Sequence, residues 1–348
     1  MTQHLSEKLK LLSAVAILLV LYIHSGFHDD EIAGMAANHY TQEVVSTLLG
    51  RCAVPLFYAM SGYLFFLKTP RGLASIPEKI QKRLHTLLIP YVLTALFYVA
   101  FLVVVNSIPA LSKFINSSIL PTLHQSWPRV LAAIFYDAGN GSPLAFHLWF
   151  VRDLLFVVLL SPLLYVLLRY LGWGWVLLAF VAAFAELPYL PVVALFWFSL
   201  GGALTKYPVA VAHPRLGLAL LGAFLLVSAA QLLTPELALW KPARIPIILL
   251  GVSAIWLAYD ALVPAGFSLR RHAWLDAACN FTFFVYLFHE PALNVVRKLL
   301  VVATGKNSPG YLLSYLLSPW LFMALATVVG IYLRKLVPRL YAVVVGGR

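Results

Sequence analysis

The sequence predicts an all-α, polytopic integral membrane protein whose helices enclose a partly polar cavity. Composition carries the first part of this prediction. Hydrophobic residues make up 62% of the 348 residues and charged residues only 11%, whereas a soluble domain is about 45–50% apolar. The mean hydropathy is correspondingly high, at +0.88. These values favour a chain that crosses the membrane several times over a soluble domain.

Long apolar runs recur along the whole chain. A helix needs about 20 such residues to cross the hydrocarbon core, and the sequence offers about ten candidate spans within one transmembrane domain, residues 1–348. The fifth and sixth are short and separated by Leu187-Pro188-Tyr189-Leu190-Pro191, so they can also be one interrupted helix. The predicted spans are residues 9–27, 44–67, 84–105, 144–171, 173–185, 190–204, 216–233, 245–263, 281–302 and 312–337.

The loop charges predict the orientation of the chain. If the N-terminus is cytoplasmic, most lysines and arginines fall in inner segments, whereas the first outer loop is acidic, with Asp29, Asp30, Glu31 and Glu43. This asymmetry follows the positive-inside rule and places both termini in the cytoplasm. The net charge of +12 is therefore a topology signal. Because the cations form no continuous stripe, we expect no nucleic-acid partner; the oligomeric state is left open.

A histidine, His24, lies near the end of the first predicted span. A helix that only anchors the chain gains nothing from an imidazole there, because polar groups in hydrocarbon are costly unless they are paired or hydrated. The alternative is an interfacial histidine solvated by headgroup water. The first interpretation makes His24 a candidate functional residue.

Further charged or titratable residues fall inside the spans, where such groups normally face a hydrated cavity or one another. They are Arg51, His147, Arg152, Asp153, His289 and Glu290. Pro55 cannot donate an N–H to the carbonyl of Arg51, so we expect a kink that leaves an acceptor beside a cation. One helical face, which can line a cavity for an anionic or sugar-like group, carries Arg51, Pro55, Tyr58 and Gly62. Alternatively, Arg51 pairs structurally with Asp153 or with the acidic outer loop.

Five segments, in order, resemble the membrane-bound acyltransferase-3 family and together cover most of the chain. They are the apolar run of residues 9–25, Arg51-x-x-Val54-Pro55-Leu56-Phe57-x-x-x-Ser61-Gly62-Tyr63-Leu64, Lys82-Arg83-Leu84-x-x-x-x-Ile89-Pro90-Tyr91, Phe146-His147-Leu148-Trp149-Phe150-x-Arg152-Asp153-Leu154, and Phe284-Val285-Tyr286-Leu287-Phe288-His289-Glu290-Pro291.

The resemblance implies an O-acyltransferase that moves an acyl group, usually acetyl, from cytoplasmic acyl-CoA to a hydroxyl at or beyond the outer face. Acetyl-CoA is then the expected co-substrate, a cell-envelope or exported glycan or glycolipid the acceptor, and the bacterial inner membrane the location. By matching position, His24 is the catalytic histidine and Arg51 the cavity arginine. Lys82 and Arg83 form the basic inner rim, where we expect the donor to bind.

One position departs from the family pattern. The family usually carries Arg or Lys ten intervening residues before the histidine, and this sequence has Ser13 there. Ser13 and His24 share a face, because this separation is about three helical turns. Lys10 lies one turn earlier on nearly the same face, so we expect it to take over the basic role towards the CoA phosphates.

The chemistry of O-acylation agrees with a histidine. Imidazole can take a hydroxyl proton or carry the acyl group briefly near neutral pH, and a thioester reaction needs donors aimed at the developing oxyanion, for which Arg51, Arg152 or Ser61 can serve. No metal is expected. The candidates for substrate binding are Arg51, Ser61, His147, Arg152, His289 and Glu290. His147 and His289 can instead be packing residues bonded to neighbouring helices.

A different class of protein also fits these residues. In a membrane transporter or exporter of a glycan or a lipid-linked sugar, the buried charges line a permeation path. Such a protein moves its substrate without acyl-CoA and leaves no modified product.

Overall fold

The computed structural model describes residues 2–69, 72–109, 120–185, 190–206, 213–264 and 266–347. Within these ranges every regular element is helical. The α-helices are α1 Gln3–His24, α2 Ala36–Gln42, α3 Ala53–Phe66, α4 Ile76–Arg83, α5 Ile89–Ser107, α6 Leu120–Leu123, α7 Trp127–Phe135, α8 Trp149–Leu159, α9 Ser161–Tyr170, α10 Trp173–Ala182, α11 Val192–Leu204, α12 Pro214–Leu233, α13 Trp240–Leu262, α14 Ala273–Asn280, α15 Thr282–Thr304, α16 Ser308–Leu336 and α17 Pro338–Val344.

Several of these helices are suited to a bilayer, which supports a multi-pass membrane protein. Five helical stretches are long and apolar enough to cross by length and composition: Ala36–Phe66, Gly72–Ser107, Pro214–Leu233, Trp240–Leu262 and Ser308–Leu336. The helices α10 and α11 are apolar but shorter. The helices α1 and α15 fall outside this set because each carries three charged residues. The count of ten spans therefore stays a prediction, and most of the predicted turn at residues 187–191 lies outside the described residues.

The predicted fourth span, residues 144–171, is not one straight helix. It consists of α8 and α9, which meet at an angle of 62° and make a sixth candidate span if they are taken together. The bend has a local cause, because Pro162 is the second residue of α9 and has no N–H to continue the helical hydrogen bonds of α8.

Pro55 does not kink its helix as expected. It is the third residue of α3, in the first helical turn, where an N–H has no intrahelical acceptor in any case. The preceding chain departs from α geometry instead, through a π-helical stretch, Glu43–Leu49, and a 3₁₀ turn, Gly50–Cys52. The expected kink is therefore replaced by an irregular entry into α3, and Arg51 lies in that entry.

Two close contacts hold helices together: α3 packs directly against α11, and α1 forms an ion pair with α13. A Cβ added at Gly62 of α3 would overlap the backbone of Phe198, and one at Gly201 of α11 would overlap the backbone of Ala59, so the two helices touch through their main chains. The N-terminal end of α1 is held by a buried ion pair. Nζ of Lys8 lies 2.7 Å from Oδ2 of Asp260 on α13, and both side chains are 1% exposed.

Candidate active site

The predicted catalytic residue, His24, is the last residue of α1 and faces a carboxylate from α15. Its side chain is 17% exposed, and its Nδ1 lies 3.6 Å from Oε1 of Glu290, which is 3% exposed. Glu290 reaches this place because α15 is interrupted there, with φ −101° and ψ 132° at Glu290. The residue before a proline avoids helical geometry, so the sequence Glu290-Pro291 itself produces the break. A histidine paired with a carboxylate is an arrangement suited to proton transfer.

Two further histidines lie beside His24. The ring of His289 is 4.7 Å from that of His24 and 5.0 Å from that of His147, centre to centre, so His289 lies between the other two. Both are almost completely buried. Nδ1 of His289 is 2.7 Å from the carbonyl of Tyr286, and Nε2 of His147 is 3.2 Å from that of Leu287. These backbone bonds fit the alternative of histidines that join helices, while the ring contacts place both beside the candidate catalytic residue.

Sequence reasoning missed the residues that hold this histidine–carboxylate pair. Nδ2 of Asn294 donates to Oε2 of Glu290 at 2.7 Å, and Arg297, only 8% exposed, donates to the carbonyls of Ser25 and Gly26 just beyond α1. Arg297 therefore lies within α15 and is buried against the end of α1. The signal was available, because Glu290, Asn294 and Arg297 are spaced four and three residues apart, on one helical face.

His24 lies in an elongated cavity of about 390 Å³, here called the inner cavity. Its polar lining residues are Ser13, His24, Ser61, Arg83, His147 and Thr282. Ser13 and His24 are eleven positions apart on α1, which corresponds to about 16 Å along a helix. The cavity therefore extends from Arg83 and Ser13 to His24. Its length suits an extended ligand whose polar end lies near Arg83.

Arg51 and Ser61 line different cavities, although they are close in sequence. Arg51 lies in the turn just before α3, and Ser61 lies within α3. Arg51 lines a larger space of about 960 Å³, called here the outer cavity, together with Pro55 and Tyr58. Gly62, the fourth residue of the predicted face, packs against Phe198 instead. Of the predicted oxyanion donors, only Ser61 shares a cavity with His24. The predicted pairing of Arg51 with Asp153 is not among the ion pairs of the described residues, because Asp153 pairs with Arg152.

Arg152 holds the loop before α8 rather than facing His24. Its Nε donates to Oδ1 of Asp153 at 2.9 Å, and its Nη1 donates to the carbonyls of Tyr136 and Gly141 at 2.6 and 2.9 Å. Every one of these acceptors belongs to the protein. The geometry gives Arg152 a structural task in positioning this loop, and its predicted role in substrate binding is not supported by a shared cavity with His24.

The three predicted donor-binding cations take different positions. Arg83 lines the inner cavity, whereas Lys82 is exposed. Lys10 is 44% exposed, and its Nζ donates to Oδ1 of Asn280 at 2.9 Å. Asn280 is two residues before Thr282, which lines the cavity. Lys10 is therefore near the Arg83 end of the inner cavity, one helical turn from Ser13, whose side chain faces the cavity itself.

The histidine–carboxylate centre also has a donor set that can hold a cation. One ligand atom from each of His24, His289 and Glu290 lies within 4.8 Å of the others. Sequence reasoning expects no metal, and this stays a prediction.

The fold and the site define a helical membrane protein whose cavity leads from a basic end to a histidine paired with a buried carboxylate. Comparison with protein families assigns the class. A family model described as an acyltransferase domain matches residues 7–334, so the chain belongs to the membrane-bound acyltransferase-3 family.

Among curated proteins, the chain is similar to the succinoglycan biosynthesis protein ExoH of Rhizobium meliloti (strain 1021). The two are 26% identical over 366 aligned residues, which cover 100% of this chain and 94% of that protein. No solved structure matches the chain.

Proposed function

We propose that this protein is a single-domain inner-membrane O-acyltransferase, residues 1–348, that transfers an acetyl group from cytoplasmic acetyl-CoA to a hydroxyl of a cell-envelope or exported glycan. One observation carries the proposal: the only histidine at the end of α1, His24, faces the Glu290 carboxylate at 3.6 Å and lies in the same cavity as Arg83. The similarity to a protein named for succinoglycan biosynthesis supports a glycan as the acceptor.

The donor fits the inner cavity by shape and charge. The pantetheine arm of CoA is long and narrow and ends in the thioester, whereas the opposite end of the molecule carries phosphates. With the phosphates at Arg83 and Lys10, the arm extends along α1 past Ser13 and brings the thioester towards His24. Arginine suits the phosphate end because its guanidinium forms charge-assisted hydrogen bonds to phosphate oxygens.

The reaction requires a proton to move twice. The Nδ1 face of His24 is directed to Glu290, which leaves Nε2 to take the proton of the acceptor hydroxyl as its oxygen attacks the thioester carbon. Glu290 stabilises the resulting imidazolium. A new O–C bond forms, the C–S bond breaks, and the proton passes from Nε2 to the departing sulfur, so His24 ends neutral. Ser61 is the candidate hydroxyl for a hydrogen bond to the oxyanion.

The proposal is tested by removing the imidazole. In membranes carrying the full-length protein, transfer of radiolabelled acetyl from acetyl-CoA to envelope glycan should fall by about 10²–10⁴ in His24→Ala, which is the usual contribution of a general base. Glu290→Gln should also lower kcat, while His39→Ala, an exposed histidine 59% accessible, is the matched control. The two site variants should reach the same abundance as the control.

Two outcomes contradict the proposal. Transfer at the wild-type rate by an abundant His24→Ala protein removes His24 from the mechanism. Movement of glycan across vesicles without acetyl-CoA, with no acetylated product, favours the transporter instead. Label that stays on the wild-type protein when acceptor is omitted, and is absent in His24→Ala, identifies His24 as an acyl carrier rather than a base.

A further inference from the structure

The outer cavity has a composition that the acyl-transfer chemistry does not explain. Its lining comes from the end of α1, the first turns of α3, α8, α11 and α13, the residues just after α10 and one residue near the end of α12. The loop charges place all of these helix ends on the outer side. At about 960 Å³ it is at the upper end of the usual range for small-molecule sites, about 300–1,000 Å³. It is more than twice the size of the inner cavity, so it accommodates a bulkier ligand.

Three cations line this space. They are Arg51, Lys241 and Arg244, all of them exposed. None is in an ion pair with another described residue. Arg51 and Arg244 are near enough to repel each other, and the carboxylate of Glu43 offsets this only in part. Like charges gathered without matched counterions create a positive potential that favours an anionic ligand.

The remaining charged and helical features of the cavity do not cancel this potential. Its lining carboxylate, Asp153, is already bound to Arg152, with Nη2 at 2.8 Å. Lys241 and Arg244 lie in the first turns of the 23-residue helix α13, where the helix dipole adds positive potential. The cavity therefore presents a concentration of positive charge at the outer end of the bundle.

Three tryptophans, Trp149, Trp197 and Trp240, also line the outer cavity. The indole of Trp240 is fixed, because its Nε1 donates to the carbonyl of Thr234 at 2.7 Å. Flat indole faces suit the apolar C–H faces of sugar rings, and an aromatic wall next to cations is suited to a sugar that carries negative charge. Trp149, with Ile23 and Val54, lines the inner cavity as well, so a ligand in the outer cavity is one residue layer from His24.

We propose that the outer cavity binds the glycan acceptor through an anionic group on the sugar, held by Arg51, Lys241 and Arg244. The charged group is then the anchor, and a hydroxyl elsewhere on the same glycan reaches His24. The inference deepens the proposed function and rests on it for the role of this ligand as acceptor. A sugar carboxylate and a sugar phosphate share the recognising chemistry, and the experiment distinguishes them.

Binding to the full-length protein in nanodiscs tests the inference without depending on transfer. The probes are an oligosaccharide that contains glucuronate and the same oligosaccharide after reduction of its carboxyl groups. We expect the acidic probe to bind more tightly. Arg244→Gln should weaken its binding by about tenfold or more, the usual effect of losing a hydrogen bond between two charged groups. It should leave the reduced probe unaffected. Added salt should weaken only the acidic probe.

The matched control is Lys306→Gln, which removes an exposed cation from another predicted outer loop and should change nothing. Lys241→Gln is a second variant with the same expectation as Arg244→Gln, and thermal stability and gel-filtration profiles check that each variant is folded.

Competition with glucose 1-phosphate identifies the anion. Tighter binding of the phosphate indicates a phosphate-linked sugar, and tighter binding of the uronate indicates a carboxylated glycan; either supports the inference.

Equal binding of the acidic and reduced probes would overturn the inference, as would equal losses in Arg244→Gln and Lys306→Gln. Transfer activity separates the two proposals. Charge-selective binding by a protein that transfers no acetyl group contradicts only the proposed function. Active transfer without charge selectivity contradicts only the acidic acceptor.

Discussion

The contact between α3 and α11 predicts a large effect from a single added methyl group. The Cβ of Gly62→Ala would meet the oxygen, carbon and Cα of Phe198, all of them backbone atoms that no rotamer change can move away. Overpacking of this kind costs about 1–3 kcal/mol, while replacing glycine by alanine inside a helix gains about 0.5–1 kcal/mol. Because these backbone atoms can move only with the whole helix, we take the upper half of the overpacking cost and expect a net loss of about 1–2.5 kcal/mol in the free energy of unfolding.

The matched control is Gly222→Ala in α12, because no atom lies within 4 Å of a Cβ built there. It should be neutral or slightly stabilising. Stability is measured as the loss of monodisperse protein on heating in detergent, with the two variants compared side by side. Because Gly62 follows Ser61, which lines the inner cavity, Gly62→Ala should also lower the rate of transfer, whereas Gly222→Ala should not.

The reciprocal position makes the prediction sharper. Gly201→Ala should be destabilising too, because its Cβ would overlap Ala59 of the same helix pair. Once one methyl group has pushed the helices apart, the second costs less, so the double variant should lose less than the sum of the single variants. A Gly62→Ala protein as stable as Gly222→Ala would refute the close main-chain contact, and strictly additive losses would refute the shared displacement.

Three other perturbations test separate parts of the structure. Lys8→Met should cost about 3 kcal/mol, the lower end of the usual range for breaking a buried ion pair, because the buried Asp260 carboxylate keeps only Nε2 of the partly exposed His4, at 3.1 Å, as its partner. Lys8→Met with Asp260→Leu should recover most of the stability in the same heating assay, and an equally unstable double variant would contradict this. Ser13→Arg should lower the apparent KM for acetyl-CoA, because it adds a cation to the inner cavity. Ser13→Ala is the control and should leave the KM unchanged; equal KM values in the two variants would contradict the prediction. EDTA should leave transfer unchanged, whereas excess Zn²⁺ should inhibit it by about tenfold or more by binding His24 and Glu290; loss of activity in EDTA would instead indicate a required metal.

The helical membrane class was predictable because it depends on sums over many residues. Hydropathy and loop charge add along the chain, so no single contact decides them. The bends of individual helices were harder to predict from the sequence. Pro55 predicted a kink, yet it lies in the first turn of α3, while Pro162 bends the predicted fourth span by 62°. The same residue type has opposite effects because its cost depends on whether the missing N–H had an acceptor.

The site shows a similar division. The position of His24 near the end of an apolar helix made it a candidate, because an imidazole in hydrocarbon needs a partner, and the resemblance to the family then predicted it as the catalytic residue. Its partner could not be read from sequence spacing, since Glu290 comes from a helix 266 positions later and reaches His24 only through the break before Pro291. The sequence also could not predict which cavity each arginine lines. Arg51, Arg83 and Arg152 face three different environments, and only the packing of the helices decides which one shares a cavity with His24.

In the proposed function a cytoplasmic donor reacts with an outer acceptor, and the two cavities offer an arrangement in which neither has to cross the bilayer. The inner cavity connects Arg83 to His24. The outer cavity contains Arg51 and Arg244. The two cavities share a wall, which is formed by Ile23, Val54 and Trp149. Moving a charged CoA or a glycan through hydrocarbon is costly, whereas an acyl group is small and uncharged. A centre placed between two cavities therefore needs to pass only the acyl group. For the proposed function, this requirement is consistent with a histidine–carboxylate pair whose side chains are 17% and 3% exposed, beside the wall that the two cavities share.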